Sequence, residues 1–107
     1  MKFTIKQNDT SPAMLATLKD ADDNPVDLTG ASIRFHMRKV GSTTVKVDAD
    51  ATIVDDDGGQ VRYTWVAADT DTVGAYQAEF EVTFTGGGIE TFPNNGFILV
   101  EITDDIA

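Results

Sequence analysis

The chain has 107 residues, with 18 acids against 8 bases, one histidine and no cysteine. That length suits one domain with one core, and the missing cysteine excludes a disulfide scaffold, a zinc finger and a thiol nucleophile. The net charge of -10 argues against nucleic-acid binding, which needs clustered Lys and Arg. No run approaches the roughly 18 apolar residues of a membrane span, and the first twenty residues hold no apolar h-region of a secretory signal.

Period-two alternation recurs along the chain and no window carries a helical stripe, which predicts an all-β fold. Lys2 to Lys6 opens it, carrying Phe3 and Ile5. Ala13 to Lys19 follows, with either Met14, Ala16 and Leu18 or Leu15 and its partners inward. Asp22-Asp23-Asn24-Pro25 and Asp27-Leu28-Thr29-Gly30 are turns leading to Ala31 to Lys39, where Ile33, Phe35 and Met37 alternate with Arg34, His36 and Arg38. Thr43 to Val47 and Ala51 to Val54 read as two short strands. Asp56-Asp57-Gly58-Gly59 makes a tight hairpin connection to Gln60 to Val66, with Val61, Tyr63 and Trp65 inward. Ala75 to Thr85 is the clearest strand: Tyr76, Ala78, Phe80, Val82 and Phe84 face a core, Gln77, Glu79, Glu81, Thr83 and Thr85 face water. Gly86-Gly87-Gly88 turns the chain towards Ile89, Pro93-Asn94-Asn95-Gly96 interrupts the last hairpin, and Phe92 ends a strand or lies on an edge because proline cannot donate to a ladder. Phe97 to Ile102 closes the chain, apolar on both faces at first.

Seven or eight short antiparallel strands with turns this regular predict a single immunoglobulin-like β-sandwich over residues 1–107. Tyr76 stands just after Gly74, where such a sandwich places a tyrosine whose phenol bonds back to upstream backbone, and Trp65 is expected in the core.

The sequence offers no active site. If Gly58 is set at the sixth position of an EF-hand loop, Ile53 falls first and Thr64 twelfth, and neither is a ligand. Asp55, Asp56 and Asp57 read instead as an acidic hairpin turn. Glu79 and Glu81 stand about 6.8 Å apart along one strand face, within the range of inverting glycosidases, but no neighbouring residue supplies a pocket. They read as a solvated face, or as partners of Arg34 and Arg38 on an adjacent strand. His36 has no nucleophile pattern around it, and Gly86 to Gly88 lacks the Lys-Ser/Thr of a phosphate loop. The expectation is a chain that is not an enzyme and needs no metal or cofactor.

What remains is surface. Arg34, His36 and Arg38 form the one basic stripe in an acidic chain, and charge of one sign set in a field of the other steers docking. Phe92, Phe97 and Leu99 form either an apolar docking patch or part of the core. Asp outnumbers Glu 14 to 4. The excess fits turn chemistry first, and it also fits adaptation to high salt in a halophilic source, since salt screens self-repulsion.

Several segments in order resemble one family: Asp27-Leu28-Thr29-Gly30-Ala31-Ser32-Ile33, Gly59-Gln60-Val61-Arg62-Tyr63, the run from Thr72 to Phe84, and Glu90-Thr91-Phe92-Pro93-Asn94-Asn95-Gly96 before a closing apolar strand. Over residues 12–103 they resemble the N-terminal immunoglobulin-like domain of phage baseplate upper proteins. The resemblance implies a non-enzymatic structural protein of a tailed virus, made in the host cytoplasm and placed in the tail or baseplate. It implies docking on other virion proteins in copies set by particle symmetry, with no nucleic acid and no membrane as partner. Members usually continue into a helical or fibre-bearing segment, which these 107 residues do not contain, so docking by surface contacts alone is expected. The alternative is a capsid or neck decoration module that contacts host-surface glycans. A calcium-dependent adhesion domain and a small glycosidase stand behind these two.

Overall fold

The computed structural model describes residues 1–106. Its strands in chain order are β1 (Lys2–Lys6), β2 (Met14–Thr17), β3 (Ser32–Lys39), β4 (Val45–Asp55), β5 (Gln60–Tyr63), β6 (Gly74–Thr83), β7 (Ile89–Phe92) and β8 (Ile98–Thr103), with a 3-10 turn at Ala67–Thr70. The all-β reading therefore holds. The hydrogen-bonded order is β1-β8-β6-β3-β4-β5-β2, with β7 also on β6.

The expectation of a wholly antiparallel sheet is corrected at one edge. β1 runs parallel to β8, from Lys2 opposite Leu99 to Lys6 opposite Thr103. Only strands joined by a tight hairpin are forced antiparallel. β1 and β8 lie at opposite ends of the chain and carry no such constraint, so the sheet is mixed.

The two short strands expected at 43–47 and 51–54 are one strand of eleven residues. The alternation is continuous: Val47, Ala49, Ala51 and Ile53 face inward while Asp48, Asp50 and Thr52 are exposed. The two aspartates that look like an interruption are simply the solvent face. β4 pairs with β3 as far as Ile33 opposite Ala51, then with β5 from Thr52 opposite Arg62. This change of partner carries β5 and β2 over the inner face of β3. There Phe35 stacks on Tyr63, ring centroids 4.3 Å apart, and Trp65 meets both rings edge-on at 5.5 and 5.2 Å. Phe35, Phe80, Tyr76 and Trp65 are among the largest buried side chains. Truncating one such aromatic costs about 3–5 kcal/mol.

The β2 face, open in the sequence, is settled: Met14 and Leu18 are buried and Leu15 is exposed. The inward sets of β3 and β6 are as expected, and Ile98, Val100 and Ile102 of β8 are buried. The other face of β8 is not covered, since Leu99 is 51% exposed.

The last hairpin is also corrected. β7 and β8 do not pair with each other. Both lie antiparallel to β6, with Phe92 opposite Phe80 and Ile98 opposite Ala78. Residues 93–97 thus make an excursion that leaves only Glu79 of β6 without a partner on that side. Pro93 stands at its start, where a missing N–H ends the ladder.

Two local devices fix the layers. Gly59 in the β4–β5 connection has φ +66°, and a Cβ there would lie 2.7 Å from the Leu18 carbonyl oxygen and 2.9 Å from that of Val26. The Tyr76 hydroxyl donates to the Thr72 carbonyl at 2.7 Å, the backbone-directed bond expected of that phenol. A third device was not anticipated. Buried Asp69 accepts the Tyr63 hydroxyl at 2.6 Å and the Val66 N–H at 3.0 Å. It ties a core aromatic to the start of the 3-10 turn, as an acid three residues into a helix reaches back to its first amide. Burial, with the Asp69 bond second, pushes the Tyr63 phenol far above its ordinary value, and burial also pushes Tyr76 up.

Candidate docking surface

The basic stripe lies on the outer face of β3, where alternation puts it. β6 is the neighbour on one side, with Arg34, His36 and Arg38 opposite Glu81, Glu79 and Gln77. The ion pairs mostly go the other way. Arg34 forks onto β4, with Nη2 2.8 Å from Asp48 Oδ1 and Nη1 2.8 Å from Asp50 Oδ1. Asp50 stands directly opposite Arg34 and Asp48 two residues along the same face of β4, opposite His36, so the fork reaches both. Arg34 holds the Asp48 carboxyl below the usual carboxylate range, and the hydrogen bonds it donates to Asp48 and Asp50 raise the Arg34 guanidinium in turn. His36 bridges layers of charge: Nε2 lies 3.2 Å from Asp48 and Nδ1 lies 3.2 Å from Glu79. A neutral imidazole donates to only one of the two. Arg34 is thus neutralised within the sheet, and both ring nitrogens of His36 face carboxylates of the sheet.

Arg38 differs. It forms no ion pair among the described residues. Its Nε donates to Gln77 Oε1 at 3.3 Å, and its guanidinium carbon lies 5.3 Å from the centroid of the Phe97 ring. Two irregularities in the ladder build this spot. On one side the register of β3 and β4 slips between Met37 and Arg38, so that Met37 faces Val47 and Arg38 faces Val45. The slip leaves Lys46 as an extra residue. A bulge of this kind re-aims side chains. Here it leaves Val45 beside Arg38, 55% exposed, and sends Lys46 to Asp71 at 2.7 Å. The Asp71 carboxyl is held low by that contact. On the other side, the 93–97 excursion delivers Phe97, 41% exposed.

A groove of about 190 Å³ results, with Phe97, Val45, Arg38, Gln77, His36 and Glu79 among its walls. The row of facing residues that passes through it crosses five strands: Val45, Arg38 and Gln77 line the groove, and Leu99 and Lys2 continue the row beyond it. Phe97 also borders a second groove of about 210 Å³, shared with Met1, Leu18, Phe92 and Pro93. Phe97 is therefore a ridge between two concavities. An arginine over an exposed phenylalanine ring pairs two residue types enriched at protein interfaces, and exposed Leu99 and Val45 add apolar area beside it.

The remaining candidates fall elsewhere. Phe92, a candidate for the docking patch or the core from the sequence, is 2% exposed and belongs to the core, because the Pro93 excursion begins only after it. Glu79 lines the first groove and Glu81 does not, so that groove does not hold the pair. Asp55 Oδ1 accepts the Gly58 N–H at 3.1 Å, which is turn chemistry. No group of three or more metal-ligating side chains occurs among the described residues.

Comparison with known proteins gives a direct result. A search of curated proteins returned no match. Among solved structures, the N-terminal domain of phage TP901-1 ORF48 superposes with a TM-score of 0.61 at 13% identity, covering 98% of this chain and 85% of that one. CopC from Methylosinus trichosporium OB3b gives a TM-score of 0.51 at 16% identity, covering 99% and 87%. At such identities these likenesses show a shared fold. The family model of the BppU N-terminal domain matches residues 2–105, almost the whole chain, and so the chain belongs to the baseplate upper protein N-terminal domain family.

Proposed function

We infer that this chain is a non-enzymatic structural part of a phage tail or baseplate, and that it docks on neighbouring virion proteins through the outer face of β3, β6 and β8. Membership of the baseplate upper protein family supports the place in the particle. The single observation that carries the docking face is the Arg38–Phe97 pair, held at the convergence of two ladder irregularities and without a carboxylate partner among the described residues. The occupant fitting it is an apolar protein surface bearing a carboxylate, which reaches the Arg38 guanidinium while its apolar part covers Phe97, Val45 and Leu99. Arg34 and His36, already paired within the sheet, contribute register more than affinity.

The same reading includes an immunoglobulin-like wrap. The switch of β4 from β3 to β5, the Phe35–Tyr63 stack between layers and the Tyr76 bond to Thr72 support it. The copy number follows from the ring symmetry of the site it occupies, since closed rings reuse one interface.

The test is incorporation. Cells infected with phage lacking this chain receive it from a plasmid, as wild type, Arg38→Glu or Phe97→Glu, and purified particles are assayed for it. The reading expects wild type in particles, and both variants folded by circular dichroism yet depleted from particles. Equal incorporation of all three removes the proposed face. Absence of the wild-type chain from particles removes the function.

A further inference from the structure

We propose that Asn95 is a site of spontaneous deamidation, a slow covalent change built into the loop that carries Phe97. The reaction starts when the amide nitrogen of the following residue, having lost its proton, attacks the side-chain Cγ. An N–C bond closes a succinimide, the Cγ–Nδ2 bond breaks, and the leaving nitrogen departs as ammonia. Water then opens either carbonyl–nitrogen bond of the ring, giving aspartate or isoaspartate. The step needs no enzyme, oxidant or cofactor. It does need an attacking N–H free of hydrogen bonds, a free carboxamide, and room for the ring.

The chain has four asparagines, Asn8, Asn24, Asn94 and Asn95, and the structure separates them. Asn24 precedes Pro25, which has no N–H to attack with. Asn8 precedes Asp9, whose N–H donates to the Lys6 carbonyl at 3.1 Å. Asn94 has its carboxamide held twice, donating to Glu90 Oε2 at 3.1 Å and to the Thr91 carbonyl at 3.0 Å. Asn95 has none of these restraints. It precedes Gly96, both are exposed, and both lie outside any strand. Among the described residues, neither the Asn95 carboxamide nor the Gly96 N–H has a partner. Gly96 sits at φ +77°, and nothing comes within 4 Å of where its Cβ would stand. The one other acidic or amide residue before a glycine in a similar turn, Asp57 before Gly58, is restrained, since the Gly58 N–H donates to Asp55 at 3.1 Å.

The product changes the surface locally. It adds a carboxylate to an excursion that ends on Phe97, beside Arg38. Isoaspartate also lengthens the backbone between two fixed points, Phe92 on Phe80 and Ile98 on Ala78. The assignment rests on the chemistry of this loop and not on the docking reading, so either stands if the other fails.

The test incubates the purified full chain at mildly alkaline pH and maps its peptides by mass spectrometry, with isoaspartyl methyltransferase labelling as a second readout. A synthetic peptide of residues 90–99 serves as the clock. The expected result is loss of the unmodified Asn95 peptide while Asn8, Asn24 and Asn94 are retained, with labelling abolished in Asn95→Gln. Retention of Asn95 in the folded chain while the free peptide converts overturns the proposal. Conversion of any other asparagine before Asn95 does the same.

Discussion

The buried Tyr63–Asp69 link gives a sharp quantitative test of the core. In Asp69→Ala the Tyr63 hydroxyl, in a residue 3% exposed, loses its acceptor, and the Val66 N–H loses its own. Hydrogen bonds to a charged partner contribute about 1.5–3 kcal/mol and an orphaned buried donor costs a comparable amount, so the variant loses about 2–4 kcal/mol. For a domain of this size, each kcal/mol moves Tm by about 4 °C, giving a fall of about 8–16 °C. Tyr63→Phe removes the donor without orphaning one and costs about 1–2 kcal/mol. In the double variant the orphaned hydroxyl is gone, so the two costs fall short of additivity by about 1–2 kcal/mol. Urea denaturation of the four proteins measures each value. Additive costs, or an Asp69→Ala penalty under about 0.5 kcal/mol, the range of an ordinary surface change, would refute the reasoning.

Gly59→Ala meets both a positive φ and two backbone carbonyls closer than 3 Å, neither of which can yield as a flexible side chain does. It is expected to cost about 2–4 kcal/mol in chemical denaturation, more than a Gly41→Ala control, whose Cβ meets nothing. In alkaline titration, neither of the two tyrosines ionises near the ordinary value of about 10 while the chain is folded, because both phenols are raised. Their neutral form is favoured by folding, so that stability is complete below about pH 10 and declines as pH rises further; tyrosinate absorbance at pH 10 without unfolding would contradict this. Asp48 and Asp71 are held low by Arg34 and Lys46, so the stability they add is present above the unfolded carboxylate value of about 3.9 and is lost as pH falls below it. Thermal melts between pH 6 and pH 2 check the sign. Salt acts oppositely on the whole: with a net charge of -10, moving to about 1 M sodium chloride shortens the screening length to about 3 Å and is expected to raise Tm.

Much of this was legible in the residues. The alternation from Tyr76 to Phe84 named the inward face of β6: Tyr76, Ala78, Phe80 and Val82 are buried, and Phe84, just past the strand, is partly buried. The Tyr76 bond was readable because a tyrosine just after a glycine at a strand start has few other places to send its hydroxyl. What stayed hidden lies in register. Nothing in Val45-Lys46-Val47 says that the ladder slips there, yet the slip brings Val45 to Arg38. β7 and β8 read as a hairpin because a Pro-Asn-Asn-Gly run usually turns a chain back. Here both segments find the same side of β6, which offers enough length for each. Asp48 and Asp50 were mistaken for a break because two acids in a row of small residues look like a loop, although their spacing of two is that of one strand face. Asp69 left no signal: a single acid before a threonine is commonplace, and only the return of the chain over Tyr63 buries it.

The central claim is that the Arg38–Phe97 face is covered in the particle. A cryo-electron microscopy reconstruction of the virion tail at side-chain resolution tests it most directly. The account predicts a neighbouring protein seated on Phe97, Val45 and Leu99 with a carboxylate at Arg38, and the aspartate-rich turns at Asp20–Asp27 and Asp55–Asp57 turned towards solvent. A map that shows the Phe97 ridge bare and the aspartate turns holding the chain in place would contradict it.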